Sequence, residues 1–247
     1  MSEGKNGASP LLSFIMPAHN EEDVIEDTVK KCLETIEKEG FEGEVIVAND
    51  GSVDGTGEIM DRLAGEHENV QVYHLKQNGG YGVAMRRALG ITRGRYVATL
   101  DSDGQFDPAD AIKLLRKAEE GHVCVTGFRG KKKDSLFRVI GNYVFNLMVR
   151  LFCGVDFKDS QCAIKVVEGD FFRQLPLESK GYMFPTEVVF KSRHSGKNVA
   201  EMEVSHFART GGASSLKFLK TSVDMFLFLI YIRIKLLIYR RKLIEGL

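Results

Sequence analysis

The strongest constraint on the fold is an alternation of short apolar runs with segments of helical periodicity in the first half of the chain. The apolar runs lie at 11–17, 44–50, 70–75, 96–100 and 123–127, and the helix-patterned segments at 21–40, 55–66, 82–94 and 109–121. Connections of a few residues separate them, which predicts an α/β fold with a mostly parallel sheet and helices on both faces. In such sheets ligands bind beyond the carboxyl ends of the strands, so the residues after each strand are the candidates for a site.

The second half of the chain is less regular and predicts one domain followed by a helical appendage. Helices are predicted at 135–152 and 185–196, strands within 159–167 and 199–207, and a basic loop at 208–217. We expect a polar tail at 1–11, a domain at 12–213 and an apolar-basic helix at 214–247. The apolar run at 225–239 contains Arg233 and Lys235 and is shorter than the roughly 20 residues that a bilayer span needs, so no transmembrane helix is predicted.

Charge and cysteine content narrow the class of protein. The 247 residues include 34 Lys and Arg and 34 Asp and Glu, so no overall electrostatic attraction to nucleic acid or membrane is expected. The four cysteines match no zinc-site spacing, which favours reduced core thiols in a reducing compartment. The N-terminal segment lacks the apolar core of a secretion signal, so secretion is not expected.

Asp101 and Asp103 follow the apolar run at 96–100 directly. Side chains two apart on an extended strand point to the same side, and two carboxylates about 4 Å apart repel by about 4 kcal/mol at an effective dielectric of 20. A hard divalent cation removes that cost, and Gln105 can add a neutral oxygen from the same loop. Taken alone, the segment is equally compatible with an Asp- and Gly-rich turn that ends a strand.

Two other strand ends carry residues suited to binding. Asp50, beside Gly51, can accept hydrogen bonds from a base or ribose, or can form an Asx-type turn. The glycine-rich segment 78–82 resembles a loop that cradles phosphate at the start of a helix, although glycines also serve tight turns. Neither motif decides the function by itself.

The ordered series of strand-end motifs is similar to that of the family 2 glycosyltransferases of GT-A fold. The series consists of PAHNE at 17–21, DGS at 50–52, NGGYG at 78–82 and DSDGQ at 101–105. Further motifs resemble the dolichyl- or polyprenyl-phosphate hexosyltransferase branch, namely VTGFRG at 125–130, FRVIGN at 137–142, DSQCAIK at 159–165 and the segment 203–217. The resemblance extends from about Leu12 to about Lys242.

This resemblance implies a set of site residues. Asp101, Asp103 and Gln105 are expected to hold Mg²⁺ or Mn²⁺, and Asp101, Asp103 and Arg129 to act in catalysis. The expected acceptor-phosphate residues are Arg129, Arg138 and Arg209. The expected contacts to the nucleotide sugar are Pro17, Ala18, Asn20, Glu21, Asp50, Gly51, Gly79, Gly80, Asp101, Ser102 and Asp103. The chain departs from the family at His19, where an aromatic residue is usual, and at Asn49, which replaces an aspartate.

The function implied is metal-dependent, inverting transfer of one hexose from a nucleoside diphosphate sugar to dolichyl or polyprenyl phosphate. The expected location is the cytosolic face of a membrane, with a membrane partner subunit or a second copy of the chain as possible partners and no nucleic acid. GDP-mannose and UDP-glucose both remain open as donors. Two alternatives also remain, a family 2 enzyme with a soluble or polysaccharide acceptor and a nucleotide-sugar-binding subunit without activity.

Three further expectations concern residues outside the main motifs. The C-terminal helix is expected to lie in the membrane interface, with Arg233 and Lys235 reaching the headgroups, although a helix packed on the sheet is the alternative. Glu187 is expected to orient an arginine or touch the sugar. His74 is expected to be an ordinary surface or strand histidine.

Overall fold

The predicted alternation of strands and helices is confirmed. The computed structural model describes residues 9–130, 136–154, 156–208 and 218–239. In this part of the chain, seven strands form one sheet in the order β3-β2-β1-β4-β6-β5-β7. The strands are β1 (Leu12–Ala18), β2 (Gly43–Asn49), β3 (Val70–His74), β4 (Tyr96–Thr99), β5 (Cys124–Arg129), β6 (Lys165–Glu168) and β7 (Val199–Val204).

One strand runs against the others. The pairs β1–β2, β2–β3, β1–β4 and β5–β7 are parallel, whereas β6 lies antiparallel to both β4 and β5. Lys165, the first residue of β6, pairs with Thr99, the last residue of β4. The loop that precedes β6 therefore lies at the carboxyl edge of the sheet, beside the loops that follow β4 and β5.

Helices cover both faces of the sheet, as predicted. One core cluster joins the sheet to α1, α2 and α4, and a second joins it to α3, α6 and α7. The helices are α1 (Ile25–Glu39), α2 (Thr56–Glu66), α3 (Tyr81–Leu89), α4 (Pro108–Glu119), α5 (Leu136–Cys153), α6 (Gly169–Gln174), α7 (Phe184–His194) and α8 (Phe218–Tyr239). Every residue of β1 and of β2 is buried, as expected for central strands covered on both sides.

Local sequence explains where several helices begin and end. Helix α1 stops at Gly40, which has a left-handed φ of 69° that glycine adopts without strain. Helix α4 starts after Asp107, whose carboxylate accepts the N–H of Ala109 at 2.9 Å. The residue before α2 is Gly55, and Asp54 accepts the N–H of Thr56, the first residue of that helix, at 3.1 Å.

Helices α5 and α8 pack together at one side of the domain. A third apolar cluster lies between them and α7, and it contains Val149, Met183, Phe190, Leu229 and Ile232. One face of α8 is therefore packed on the domain, as in the alternative to a helix in the membrane interface. Within the described part of the chain, no helix combines the length and apolar character that a bilayer span requires.

The cysteines whose side chains are described behave as expected. Cys32, Cys124 and Cys162 are buried and free. Burial raises the pKa of Cys124 to about 11 and that of Cys162 to about 12, so both remain protonated thiols.

Candidate active site

The loop after β1 is tied to the loop after β2 by side-chain hydrogen bonds. The N–H of Asn20 donates to Ser52 Oγ at 3.0 Å, and the N–H of Val53 donates to Asn20 Oδ1 at 2.9 Å. The N–H of Glu21 donates to Thr56 Oγ1 at 2.8 Å. Pro17 and Ala18 end β1, so the predicted nucleotide-sugar residues of both loops lie together at the carboxyl edge.

Asn49 takes part in a relay of polar groups. Its Oδ1 accepts the N–H of Ser52 at 2.9 Å, and its Nδ2 lies 3.1 Å from His74 Nδ1. His74 Nε2 lies 2.9 Å from Asp61 Oδ1 on α2. An Nε2–H tautomer satisfies both contacts, with Nδ1 accepting from the amide. His74 is exposed at the end of β3, as expected for a surface or strand histidine, and it also orients the side chain that precedes Asp50.

Asp50 binds the glycine-rich loop. The N–H groups of Gly79 and Gly80 donate to Asp50 Oδ1 and Oδ2 at 2.6 and 3.0 Å. Gly51 has a φ of 67°, and a Cβ there would lie 2.6 Å from the backbone nitrogen of Asn78. These two amides donate to the Asp50 carboxylate in the structure, and not to a phosphate. The loop is instead joined to the loop after β2.

The two acids after β4 differ in their surroundings. Tyr81 donates its hydroxyl to Asp101 Oδ1 at 2.9 Å, and Asp103 Oδ1 accepts the N–H of Gln105 at 3.1 Å. Burial and the neighbouring Asp103 carboxylate raise the pKa of Asp101 to about 7, against the lowering effects of Tyr81 and Arg129. Burial and Asp101 raise the pKa of Tyr81 further, so its hydroxyl keeps the proton that it donates. Between these acids lies Ser102, whose side chain is buried and whose carbonyl accepts the hydroxyl of Thr28.

This environment fits a divalent cation. Burial and the adjacent Asp103 raise the pKa of Asp101 even though Arg129 and Lys165 lower it, and Mg²⁺ or Mn²⁺ sites commonly use one or two carboxylates together with substrate phosphates. Among the described residues, no cluster of three or more acidic, histidine or cysteine side chains forms a metal site by itself. The predicted third ligand, Gln105, donates its side-chain Nε2 to the carbonyl of Phe207 at 3.1 Å.

Arg129 is held by a partner that sequence reasoning did not assign. Its Nε and Nη2 donate to Asp159 Oδ2 and Oδ1 at 2.6 and 3.0 Å, a two-point contact that fixes the plane of the guanidinium. Asp159 is 1% exposed and lies in the loop before β6. Asp159 is the first residue of the DSQCAIK motif. Its position beside Arg129 could not be predicted from the motif, because it depends on the antiparallel direction of β6. The side chain of Arg138 and all of Arg209 lie outside the described residues, as does the lysine run at 131–133.

Glu187 is a structural residue. It is fully buried, accepts the N–H groups of Glu178 and Ser179 at 2.8 Å each, and pairs with Lys191 Nζ at 2.7 Å. The expectation that it orients an arginine or touches the sugar is therefore not supported, because both carboxylate oxygens accept hydrogen bonds from the backbone of the loop before α7. That loop contacts the glycine-rich loop.

The fold and the site together define a class of protein. Seven strands with one reversed member, paired acids after β4 and an oriented arginine at the end of β5 are the features of an α/β GT-A fold. Glucosyl-3-phosphoglycerate synthase of Mycobacterium tuberculosis, solved with phosphoglyceric acid, superposes with a TM-score of 0.68 at 19% identity, over 92% of this chain and 79% of that one. Mannosyl-3-phosphoglycerate synthase of Rubrobacter xylanophilus gives a TM-score of 0.66 at 20% identity, over 94% and 75%.

The chain belongs to glycosyl transferase family 2, whose sequence profile matches residues 13–173. Glycosyltransferase AglD of Haloferax volcanii is 33% identical over 78% of this chain and 32% of its own length. Dodecaprenyl-phosphate galacturonate synthase of Rhizobium johnstonii is 29% identical over 82% and 61%. Dolichyl-phosphate beta-glucosyltransferase of Dictyostelium discoideum is 28% identical over 96% and 78%. The chain thus spans a third to two thirds of the first two relatives, and the predicted resemblance to the lipid-phosphate branch is confirmed.

Proposed function

We propose that this protein transfers one hexose from a nucleoside diphosphate sugar to dolichyl or polyprenyl phosphate, with inversion, at the cytosolic face of a membrane. The observation that carries the proposal is the juxtaposition, at one sheet edge, of a carboxylate pair with an arginine whose guanidinium is held in place by Asp159. Only β6 separates β4, which ends two residues before Asp101, from β5, which ends at Arg129, and Arg129 lowers the pKa of Asp101 electrostatically.

The chemistry follows from the charges of the two substrates. Mg²⁺ or Mn²⁺ bound by Asp101, Asp103 and Gln105 would neutralise the diphosphate leaving group. The acceptor phosphate has a second pKa of about 6, so it is largely dianionic at neutral pH and needs no strong general base. Arg129, oriented by Asp159, binds that phosphate against the repulsion of the donor diphosphate. Arg138 and Arg209 are proposed to share this task.

The names of the relatives support a lipid-phosphate acceptor. Galacturonate synthase and beta-glucosyltransferase are named for dodecaprenyl and dolichyl phosphate respectively. Their sugars differ, so the relatives support the acceptor class more strongly than the hexose. The relative that matches 96% of this chain is a glucosyltransferase, which makes UDP-glucose the first donor to test and GDP-mannose the second.

An apolar surface on α5 and α8 supports a location at the membrane. Tyr143, Val144, Leu147 and Leu151 of α5 are exposed at helical spacing. Val223, Phe226, Leu227, Tyr231 and Ile234 of α8 are exposed as well. We call these nine residues the outer face of α5 and α8. Exposed apolar patches of this kind mark surfaces that bind a membrane or another protein, and a lipid acceptor favours the membrane.

A donor and acceptor screen tests the proposal. The full chain is incubated with labelled UDP-glucose or GDP-mannose, Mn²⁺ or Mg²⁺, and either dolichyl phosphate in vesicles or a water-soluble phosphate acceptor. We expect label in the organic phase with the lipid acceptor only, and loss of that product with EDTA or in Asp103→Ala. Transfer to the soluble acceptor alone would favour the second enzyme class. Nucleotide binding without any transfer would favour the binding subunit, and turnover of Asp103→Ala in EDTA would exclude the metal mechanism.

A further inference from the structure

Glu178 joins helix α8 to the body of the domain. The hydroxyl of Tyr231 donates to Glu178 Oε1 at 3.1 Å, and the ammonium of Lys235 contacts the same oxygen. The other carboxylate oxygen lies 3.3 Å from Lys191 Nζ of α7. Lys235 was expected to reach lipid headgroups, but it points to the domain and pairs with an acid there. Partial burial opposes ionisation of Glu178, but Lys235 and Lys191 hold its pKa below the ordinary value.

The two residues after Glu178 contact the glycine-rich loop. The N–H of Gly82 donates to the carbonyl of Lys180 at 3.0 Å, and the guanidinium of Arg86 contacts the carbonyl of Ser179. A Cβ on Gly82 would lie 2.2 Å from the Ser179 carbonyl oxygen, and one on Gly80 would lie 2.5 Å from that of Lys180. The two backbones are therefore in direct contact, and a shift of one displaces the other.

The glycine-rich loop in turn positions both halves of the candidate site. Its Gly79 and Gly80 amides hold Asp50, and the following residue, Tyr81, donates to Asp101. The Tyr81 ring also packs against that of Tyr182, with centroids 5.7 Å apart. A continuous series of contacts therefore runs from the helix that carries the outer face to the acid pair.

We propose that Glu178, held by Lys235 and Tyr231 of α8, is a positioning residue for the donor site and acts through the glycine-rich loop. The term donor site rests on the proposed function, whereas the contacts do not. Anchoring Glu178 keeps the 178–180 backbone pressed against Gly82, which keeps Tyr81 on Asp101 and the loop amides on Asp50. Releasing the anchor loosens these contacts while the sheet and its core stay folded.

The first test needs no substrate. Hydrogen exchange of the 78–86 and 176–182 amides is compared in the wild type, Lys235→Met and Arg233→Met. Arg233 is exposed on the same helix and serves as the matched control for loss of a cation. We expect exchange in both segments to rise about fivefold in Lys235→Met, which corresponds to a loss of about 1 kcal/mol of local stability, and to stay unchanged in Arg233→Met. Equal exchange in the two variants would overturn the proposal.

The second test measures nucleotide affinity. UDP and GDP are each titrated calorimetrically with Mn²⁺ against the wild type, Lys235→Met, Lys235→Arg, Tyr231→Phe and Glu178→Gln. We expect several-fold weaker binding in Lys235→Met and Glu178→Gln, a smaller loss in Tyr231→Phe, and recovery in Lys235→Arg. The double variant of Lys235→Met with Glu178→Gln should lose no more than either single variant.

Each outcome separates the positioning role from the proposed function. Additive losses in the double variant, or no recovery in Lys235→Arg, would overturn the positioning role. If the exchange rates change as expected while the wild type binds neither nucleotide, the positioning of the loop stands and the proposed function fails. A global loss of folding in Lys235→Met would appear as fast exchange throughout the sheet, and Tyr231→Phe then decides the question.

Discussion

At the scale of single residues, the unusual feature is a carboxylic acid held under conditions that oppose its ionisation. Asp101 combines partial burial with an adjacent acid, and its pKa rises from 3.8 to about 7. Between these pH values the folded protein binds about one proton more at this position than the unfolded chain does. The free energy of unfolding therefore falls as the pH rises from about 4 to about 7 in the absence of metal.

This shift predicts a pH-dependent melting temperature in EDTA. Each pKa unit corresponds to about 1.4 kcal/mol, so Asp101 can lower the free energy of unfolding by up to about 4 kcal/mol across this range. We expect a steeper fall in melting temperature between pH 5 and pH 7.5 for the wild type than for Asp101→Asn. Addition of Mn²⁺ at pH 7.5 should restore the wild type and leave the variant unchanged. Parallel profiles for the two proteins would contradict the shift.

The acids of the site were predictable because each directly follows a strand. Asp50, Asp101 and Asp103 stand where the carboxyl edge of a parallel sheet is expected. Their partners were not predictable in the same way. Asp159 lies 30 residues from Arg129 along the chain, and His74 lies 25 from Asn49. A pairing of that separation depends on strand direction and order, which local periodicity does not contain.

At the scale of elements, the start of α3 is the most confined part of the site. Gly82 is its second residue, and the space beside its Cα is filled by the backbone of 179–180. Because backbone atoms of a packed loop cannot move aside as a flexible side chain does, any larger residue must displace the loop.

We expect Gly82→Ala to destabilise the protein by about 1–3 kcal/mol through overpacking, and to weaken nucleotide binding because Tyr81 is adjacent. Gly65→Ala on α2 is the matched control. No atom lies within 4 Å of a Cβ built there, so the change should stabilise the helix by about 0.5–1 kcal/mol. Chemical unfolding of both variants measures these differences. A Gly82→Ala protein as stable as the wild type would show that the loop can yield.

Two features of the strands and helices were not predicted from the sequence. The seven strands were expected, since buried apolar runs between turn residues mark strands clearly. The reversal of β6 was not expected, because the apolar pattern of a short strand such as 165–168 gives no information on the direction of the strand in the sheet. Helix α6 was missed since its six residues cover less than two turns and give no measurable periodicity.

At the scale of the whole molecule, apolar surface is concentrated on one side. Leu151 of α5 is 69% exposed and Leu227 of α8 is 57% exposed, although both helices bury their other face in a common cluster. Two apolar faces on each helix are consistent with one face folded against the domain and the other buried in lipid. The domain limits predicted at 213 and 214 remain a proposal.

We expect Leu151→Asp combined with Leu227→Asp to reduce binding to anionic vesicles more than tenfold. Burial of one leucine contributes about 1.5–3 kcal/mol, and both contributions are lost. Lys31→Gln combined with Lys38→Gln changes the net charge equally on exposed positions of α1 and should have a much smaller effect. Vesicle sedimentation measures binding, and melting temperatures check the fold. Unchanged binding would point to a protein partner or a second copy on the outer face, which sedimentation velocity would detect.

The contacts at the carboxyl edge of the sheet join residues that lie far apart in the sequence, which determines the order in which these contacts can form during synthesis. Ribosomes deliver the chain from its N-terminus at about 5–20 residues per second, so Asp101 and Arg129 emerge several seconds before the segment that holds α8. Asp159 arrives between them and that segment, and Glu178 meets Lys235 only after both have left the exit tunnel. The nascent domain can hold Arg129 once Asp159 has emerged, whereas the backbone beside the glycine-rich loop gains its anchor to α8 only when Lys235 is available. The anchor of the candidate donor site is thus completed last, together with the helix that we expect to meet the membrane.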